Sequence, residues 1–339
     1  MVKVFLTGAS GLVGGEALHQ IASQPSEHQM SCLVRDAEKG SIIKKAYPDV
    51  RIVEGDLDSI DIIRKEAKDA DVVFHLASTN HLPSATAILE GISDKSRSTP
   101  GYWIQISGGT LVAGDEIAAG RYGEAPEKSY NDLTDTEEIR AVVKKNAGRA
   151  VDNLVIAQSP EKAHVALIAG PIIHGEGRGP VNRRSIQAPE ITRLTLQRGK
   201  APVIGKGLNV WSAVHIHDLG KLFALLLDAA VSKNNNVWNE NGLYFPENER
   251  LSFGGIGRAI AAEAHKQKFT PSADVETITA EKANSPSGHA AVIWGTNANL
   301  TGSRAKEQLG WKPTGPTFMS GVSDLVRSEA KRLGISPAT

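Results

Sequence analysis

Three glycines near the N-terminus have the spacing of a phosphate-binding turn. Gly8, Gly11 and Gly14 form a G-x-x-G-x-x-G pattern between a β-prone run, 2–6, and a helical pattern that begins at Leu12. Glycine lets the backbone turn tightly and approach a ligand, and a helix N-terminus offers free N–H groups and the positive end of its dipole. We therefore predict that a pyrophosphate binds here. The predicted contacts are Gly8, Ser10, Gly11, Leu12, Val13 and Gly14.

The residue after the second β-prone run, 30–34, decides which dinucleotide this turn would serve. An acidic side chain there accepts hydrogen bonds from the ribose hydroxyls of NAD, whereas an arginine neutralises the 2′-phosphate of NADP. This chain has Arg35 at that point, followed by Asp36. We predict NADP as the cofactor, with NAD left open by Asp36. We expect Asp56 and Leu57, after the third run, to flank the adenine.

Strand and helix patterns alternate along the first half of the chain. The β-prone runs at 2–6, 30–34, 50–53, 71–76 and 102–107 are separated by segments with apolar residues at helical spacing. This order predicts an α/β fold with a doubly wound parallel sheet, in which a ligand lies beyond the carboxyl ends of the strands. The candidate residues at those ends are Gly8, Arg35, Asp56, Ala77, Ser78 and Ser107.

We predict two parts in the chain. Residues 1–170 form a cofactor-binding core, interrupted at 108–146 by an insertion in which glycine and proline recur and little periodicity is visible. Residues 171–339 form mainly a smaller, interleaved α/β lobe for the substrate, with some segments returning to the core. A long irregular segment over a ligand mouth is more often functional than accidental.

Composition narrows the classes of partner. The 339 residues carry 38 basic and 38 acidic side chains, so the charge favours neither a nucleic acid nor a membrane surface. The single cysteine, Cys32, excludes an intramolecular disulfide and a cysteine-based metal site, and no other metal-ligand motif is found. We expect a cytoplasmic protein that acts on a small molecule without a metal, and we leave a homodimer open.

Several motifs occur together in the order of one known family. They are Thr7-Gly8-x-x-Gly11-x-x-Gly14, Gly55-Asp56-Leu57, His75-Leu76-Ala77-Ser78, Ile106-Ser107-Gly108, Gly170-Pro171-x-x-x-Gly175, Val214-His215-Ile216-His217-Asp218-Leu219 and Arg304-Ala305-x-x-x-Leu309-Gly310-Trp311-x-Pro313. The chain resembles the extended short-chain dehydrogenases/reductases, and especially fungal-type proteins labelled NAD-dependent epimerase/dehydratase. The resemblance implies a Rossmann-type core that binds NAD(P), with Pro171 and Ile173 at the cofactor and the substrate between core and C-terminal lobe. It also implies that Ser107 hydrogen-bonds the reacting oxygen.

One motif of that family is missing. Its members use a Tyr-x-x-x-Lys pair, in which the tyrosine exchanges a proton with the substrate oxygen and the lysine lowers the pKa of the tyrosine. No Tyr-x-x-x-Lys occurs in this sequence, and alignment of 150–154 with the family's helix puts Lys144 in the tyrosine position. Tyr130 or Tyr122 would then supply the proton, and Lys144, Lys145 or Arg149 the charge. The alternative for each is an ordinary surface residue.

Three functions follow as hypotheses. The first is an NADP-dependent oxidoreductase or epimerase that acts on a carbonyl or hydroxyl carbon of a small molecule, with Ser107, Tyr130 and Lys144 as candidate catalytic residues. The second is an NAD(P)-binding regulatory sensor of the NmrA-like kind, which signals through a protein partner without turnover. The third is a non-redox isomerase or cyclase that uses His174, His215 or His217 as acid or base.

Overall fold

Helices and strands alternate over most of the chain. The computed structural model describes residues 2–23 and 28–338, without the side chains of 286 and 287. The helices are α1 (Leu12–Ala22), α2 (Ala37–Ala46), α3 (Ile60–Asp69), α4 (Leu82–Ile92), α5 (Gly114–Ala118), α6 (Thr136–Lys145), α7 (Ala150–Ile156), α8 (Gln187–Arg198), α9 (Ile216–Val231), α10 (Phe253–Lys266), α11 (Ala280–Ser287), α12 (Ala290–Gly295), α13 (Arg304–Gln308) and α14 (Phe318–Leu333). The strands are β1 (Lys3–Thr7), β2 (Gln29–Val34), β3 (Arg51–Glu54), β4 (Val72–His75), β5 (Tyr102–Gly108), β6 (Tyr130–Asn131), β7 (His164–Gly170), β8 (Ile172–His174), β9 (Ala201–Ile204), β10 (Val210–His215), β11 (Leu243–Tyr244), β12 (Glu249–Ser252), β13 (Val275–Ile278) and β14 (Leu300–Thr301). Among the described residues, no helix combines the length and the apolar character needed to cross a bilayer.

A seven-stranded parallel sheet lies at the centre, in the order β11-β7-β5-β4-β1-β2-β3. This confirms the predicted fold class. The strand order changes direction between β1 and β4, and a doubly wound sheet leaves a ligand crevice at the carboxyl ends of such a pair.

The sheet is buried on both faces. Along β1, Val4 and Leu6 belong to one apolar cluster and Phe5 to the other, because successive side chains of a strand point to opposite faces. Helices α1 and α9 cover the Val4 face, and α3, α4 and α7 cover the Phe5 face. The result is a three-layer α/β/α core that holds the carboxyl ends of the strands in fixed register.

The second half of the chain adds smaller sheets. Strands β12-β10-β8 form one sheet, and β13-β9 and β14-β6 form two more. Helices α8, α10 and α14 pack together beside them. Two segments return to the core, because β11 pairs with β7 and α9 packs on α1. The domain boundary at residue 170 stays a prediction.

The insertion at 108–146 is more regular than its composition indicates. It contains the 3₁₀ turn Gly109–Val112, the helices α5 and α6, and β6, so the expectation of little periodicity was wrong for the ten-residue α6. Helix α6 buries only Ile139 and Val143, which is too sparse a stripe to stand out in the sequence. Its ends carry acidic residues in the first turn and lysines in the last, as the helix dipole favours.

Candidate functional site

The predicted glycine turn has the geometry of an anion-binding site. Gly8 adopts φ +87°, and a Cβ there would lie 2.7 Å from the Leu76 carbonyl carbon at the end of β4. A Cβ on Gly14 would overlap the Gly8 carbonyl oxygen, which accepts from the Gly11 N–H at 2.9 Å. Among the described residues no side chain caps α1, so its first N–H groups are open to a pyrophosphate. The other predicted contacts, Ser10, Leu12 and Val13, lie half-buried on the same turn.

A loop from the second half of the chain, 175–184, crosses this turn. A Cβ on Gly179 would lie 2.6 Å from the Gly15 Cα, so the two backbones touch. Arg178 donates through its guanidinium to Glu16 of α1, whose side chain has no exposed surface. The glycine turn predicted to bind the pyrophosphate is therefore held by contacts from both halves of the chain.

Arg35 and Asp36 have different tasks in the structure. Asp36 caps α2, because its Oδ1 accepts from the N–H groups of Glu38 at 3.0 Å and Lys39 at 3.2 Å. The bond from the Lys39 N–H is the main reason that the pKa of Asp36 lies below its usual value. Arg35 is exposed at the carboxyl end of β2, and within the described part of the chain its guanidinium forms no ion pair. The cation is thus available to a ligand, whereas the carboxylate is engaged.

Asp56 and Leu57 start the turn that leads to α3. The Asp56 Oδ1 accepts from the Ser59 hydroxyl at 2.9 Å and from the Asp58 N–H at 3.0 Å, and the Ser59 bond lowers the pKa of Asp56. Leu57 is half-buried against the core. These contacts account for a helix start. Contact of either residue with an adenine stays a prediction.

His75 joins the two strands that border the crevice. Its Nδ1 lies 2.7 Å from the Thr7 Oγ1 of β1, and its Nε2 lies 3.2 Å from the Ser84 Oγ of α4. Complete burial lowers the pKa of His75 to about 3, so the ring is neutral. Ala77 is exposed just beyond it, and the Ser78 Oγ accepts from two N–H groups of the turn that leads to α4, each at 3.2 Å.

Ser107 faces a buried charge rather than the open cleft. Its Oγ is fully buried and faces Asp152 of α7 without a well-aligned hydrogen bond. The Asp152 side chain has no exposed surface, and burial raises its pKa to about 6, against the opposing effects of Arg149 and Ser107. The Arg149 Nη1 lies 3.6 Å from the Asp152 Oδ2, and the Arg149 Nη2 donates to the Thr110 Oγ1. Four side chains thus meet at the carboxyl end of β5.

Pro171 and Ile173 lie beside that end. Pro171 is buried between β7 and β8, and Ile173 is half-buried in β8. A Cβ on the preceding Gly170 would lie 3.3 Å from the Ser107 carbonyl oxygen. The predicted position of Pro171 and Ile173 near the cofactor crevice is therefore compatible with the strand order.

Tyr130 and Lys144 lie elsewhere. Tyr130 is in β6 and lines a cavity of about 100 Å³ whose other side chains are mostly charged. The Lys128 Nζ lies 5.0 Å from the centroid of the Tyr130 ring, and burial raises the pKa of Tyr130. Lys144 is exposed in the last turn of α6. Among the described residues, no hydrogen bond or ion pair joins Tyr130 or Lys144 to Ser107.

The candidate histidines have structural partners. The His215 Nδ1 accepts from the His217 N–H at 3.3 Å and so caps α9. Burial, with His217 and His174 close by, lowers the pKa of His215 to about 4. The His174 Nε2 lies 3.1 Å from the Glu249 Oε1. These contacts account for His215 as a helix cap and for His174 as the partner of Glu249.

Sequence reasoning missed Thr110 and Asp152, and it gave Arg149 only as one of three cations. Arg149 is not an ordinary surface residue, since its side chain is 16% exposed. One signal was available, because an arginine and an aspartate three residues apart on a helix lie on the same face. The spacing does not show whether that face packs against the core or points to solvent.

The comparisons with known proteins agree with this geometry. A family model described as NAD(P)H-binding matches residues 8–96, which contain the glycine turn and Arg35. Among curated proteins, the chain is 34% identical to "Oxidase ucsJ" of Acremonium sp., over 98% of this chain and 99% of that protein.

Solved structures show the same fold. The dTDP-glucose 4,6-dehydratase DesIV of Streptomyces venezuelae, with NAD bound, matches with a TM-score of 0.68 at 17% identity over 98% of both chains. UDP-glucose 4-epimerase of Thermotoga maritima matches with a TM-score of 0.59 at 12% identity over 98% of this chain and 99% of that one. The glycine turn and the crevice between β1 and β4 therefore belong to a fold for which NAD-bound structures are known.

Proposed function

The chain belongs to the NAD-dependent epimerase/dehydratase group of extended short-chain dehydrogenases/reductases, and we propose that it is an NADP-dependent oxidoreductase acting on a carbonyl or hydroxyl carbon of a small molecule. The proposal rests on the two residues that follow β2. Asp36 caps α2, whereas Arg35 is exposed and free to bind a 2′-phosphate. The bound nicotinamide would exchange a hydride with the substrate carbon.

The residues of the chain would bind the dinucleotide in three places. The open N–H groups of α1 and the Gly8–Gly14 turn would bind the pyrophosphate. Arg35 would bind the 2′-phosphate through charge-assisted hydrogen bonds. Lys39 lies one helical turn further on, and its Nζ is paired with the Asp36 Oδ2 at 3.5 Å, which further engages the carboxylate. NAD has no 2′-phosphate for Arg35 to bind.

Redox turnover is preferred to sensing on two grounds. A curated relative that is 34% identical over 98% of this chain is named an oxidase. A buried arginine–carboxylate pair also lies at the carboxyl end of β5, and perturbed charges of this kind gather at functional sites. We also propose that the partner is a small molecule and that the compartment is the cytoplasm. These two points rest on composition alone.

Calorimetry and turnover together test the proposal. We expect NADPH and NADP⁺ to bind the purified chain more tightly than NADH and NAD⁺. We expect NADPH absorbance to fall with at least one member of a panel of aldehydes, ketones and quinones. Absence of binding heat with all four nucleotides would refute the proposal. Tight NADP⁺ binding without turnover of the panel, or of matching alcohols in reverse, would favour the sensor.

A further inference from the structure

We propose that Arg149 and Thr110 together hold the reacting oxygen of the substrate, in place of the tyrosine and lysine that this chain lacks, and that Asp152 positions Arg149 for this task. The inference deepens the proposed function and rests on it. It assigns the role expected of Ser107 to its neighbours.

Asp152 is an unusual buried acid. The Asp152 side chain has no exposed surface, and among the described residues neither of its oxygens meets a hydrogen-bond donor in good geometry. A buried carboxylate without such bonds is costly, and folds keep one only where something offsets it. The counter-charge is Arg149, whose Nη1 lies 3.6 Å from the Asp152 Oδ2. Asp152 therefore anchors a cation that would otherwise extend into solvent.

The anchored guanidinium has a second partner. The Arg149 Nη2 donates to the Thr110 Oγ1, and Arg149 has no acceptor of its own. The Thr110 oxygen is thus occupied as an acceptor, which leaves its O–H free to donate. A donor chain results in which Arg149 polarises Thr110 and Thr110 offers its proton to an incoming oxygen. Donors fixed before the reaction are the type of group that stabilises a developing oxyanion.

The position suits a substrate site. Thr110 follows the carboxyl end of β5, the edge at which doubly wound sheets bind ligands. A Cβ on the adjacent Gly109 would lie 2.9 Å from the Ala298 Cβ and 3.4 Å from the Trp211 ring. Residues of the C-terminal lobe are therefore in close contact with this segment. Thr110 and Arg149 remain partly exposed. The donor pair therefore lies where the core and the lobe meet.

The chemistry balances without a tyrosine. In the reducing direction, bound NADPH would supply the hydride for the new C–H bond and leave as NADP⁺, the C=O π electrons would move to the oxygen, and one proton from water would complete the hydroxyl. Arg149 and Thr110 stabilise the charge on the oxygen during this step. Arg149 keeps all its protons, because a guanidinium is not deprotonated in proteins.

Two variants remove the donors, and a matched variant serves as the control. Arg149→Met removes the guanidinium, and Thr110→Val removes the hydroxyl with little change of shape. Lys162→Met removes a positive charge that is exposed in the turn between α7 and β7, outside the candidate site. Arg149→Lys keeps the charge without the planar fork, so it should recover only part of the function.

The first readout is turnover of whichever carbonyl compound the wild type reduces. We expect kcat to fall about 100-fold or more in Arg149→Met and about 10-fold or more in Thr110→Val, as for the loss of an oxyanion donor. The kcat of Lys162→Met should stay within about twofold of the wild-type value, and every variant should keep its NADPH affinity. Equal kcat in Arg149→Met and Lys162→Met would overturn the inference.

The second readout needs no turnover. Benzoate supplies an oxyanion, and we expect it to bind the NADP⁺-saturated protein and to shift the Arg149 Nε–H resonance in NMR spectra. The benzoate affinity should fall about tenfold in Arg149→Met and in Thr110→Val, but not in Lys162→Met. Absence of benzoate binding, or equal binding by all variants, would overturn the inference even if no carbonyl compound is ever reduced. Benzoate binding with that pattern, but no turnover, would overturn the proposed function alone.

Discussion

Replacing Arg35 with serine should change the preference of the protein between the two nicotinamide nucleotides. The side chain is exposed at the carboxyl end of β2 and would meet the 2′-phosphate of NADPH, a group that NADH lacks. A hydrogen bond to a charged group contributes about 1.5–3 kcal/mol in favourable cases, and solvent screening at an exposed site favours the lower end. We therefore expect Arg35→Ser to weaken NADPH binding about tenfold and to leave NADH binding unchanged.

Two further variants make this measurement specific. Arg51→Ser removes an equal charge from the amino end of β3, where the guanidinium is already paired with Glu66, so it should leave both affinities unchanged. Asp36→Asn keeps an acceptor at the cap of α2 and should not change the preference. The wild-type advantage for NADPH should also shrink as salt rises from about 20 mM to about 500 mM, because exposed charges are screened.

Calorimetry with both nucleotides on the four proteins decides the matter. The reasoning would be refuted if Arg35→Ser and Arg51→Ser gave the same NADPH affinity within about twofold. It would also be refuted if Asp36→Asn, rather than Arg35→Ser, changed the preference, since the carboxylate would then be the group that reads the ribose.

Three other predictions concern the scaffold. Gly14→Ala should abolish dinucleotide binding in the same calorimetric assay, because the added Cβ would overlap the Gly8 carbonyl oxygen. The control Gly321→Ala in α14 should bind normally, because the added Cβ would meet no described atom within 4 Å beyond its own helix. Asp132→Ala should cost about 3 kcal/mol or more of unfolding free energy in urea titrations, because the buried carboxylate accepts from the N–H groups of Phe245, Ser303 and Arg304 and its loss leaves all three without an acceptor; a loss below about 1 kcal/mol would contradict this. The neutral His75, with its pKa lowered from 6.5 to about 3, binds fewer protons than the same residue in the unfolded chain. The free energy of unfolding should therefore fall as the pH drops from 6.5 toward 3, by about 1.4 kcal/mol per pH unit. His75→Gln should flatten this part of the stability profile, and an unchanged slope would show that another group is responsible.

The parallel core could be predicted because its information is local. Strands buried on both faces give continuous apolar runs, and the glycine turn, β1 and α1 follow one another without interruption. The role of Asp36 was also within reach, since an aspartate before a helical run is a common N-cap. The sequence analysis considered Asp36 only as an acceptor for the ribose hydroxyls of NAD, although α2 begins directly after it, at Ala37.

The cluster of Ser107, Thr110, Arg149 and Asp152 could not be predicted in the same way. Its members come from the end of β5, a 3₁₀ turn and α7, and only the packing of α7 decides that Asp152 faces Ser107 rather than solvent. A sequence gives the spacing of Arg149 and Asp152 but not the side of the sheet that they meet. Tyr130 and Lys144 were chosen by residue type, and the structure gives both of them other neighbours.

The position of β11 at the edge of the central sheet has a consequence for folding during synthesis. Because Leu243 and Tyr244 pair with β7, this edge of the central sheet stays unpaired until residues 243 and 244 have left the ribosome. Helix α9, which covers α1, arrives only slightly earlier. A nascent chain therefore carries an open β edge and an uncovered apolar face through most of its synthesis, and these are the surfaces on which chaperones and aggregation act.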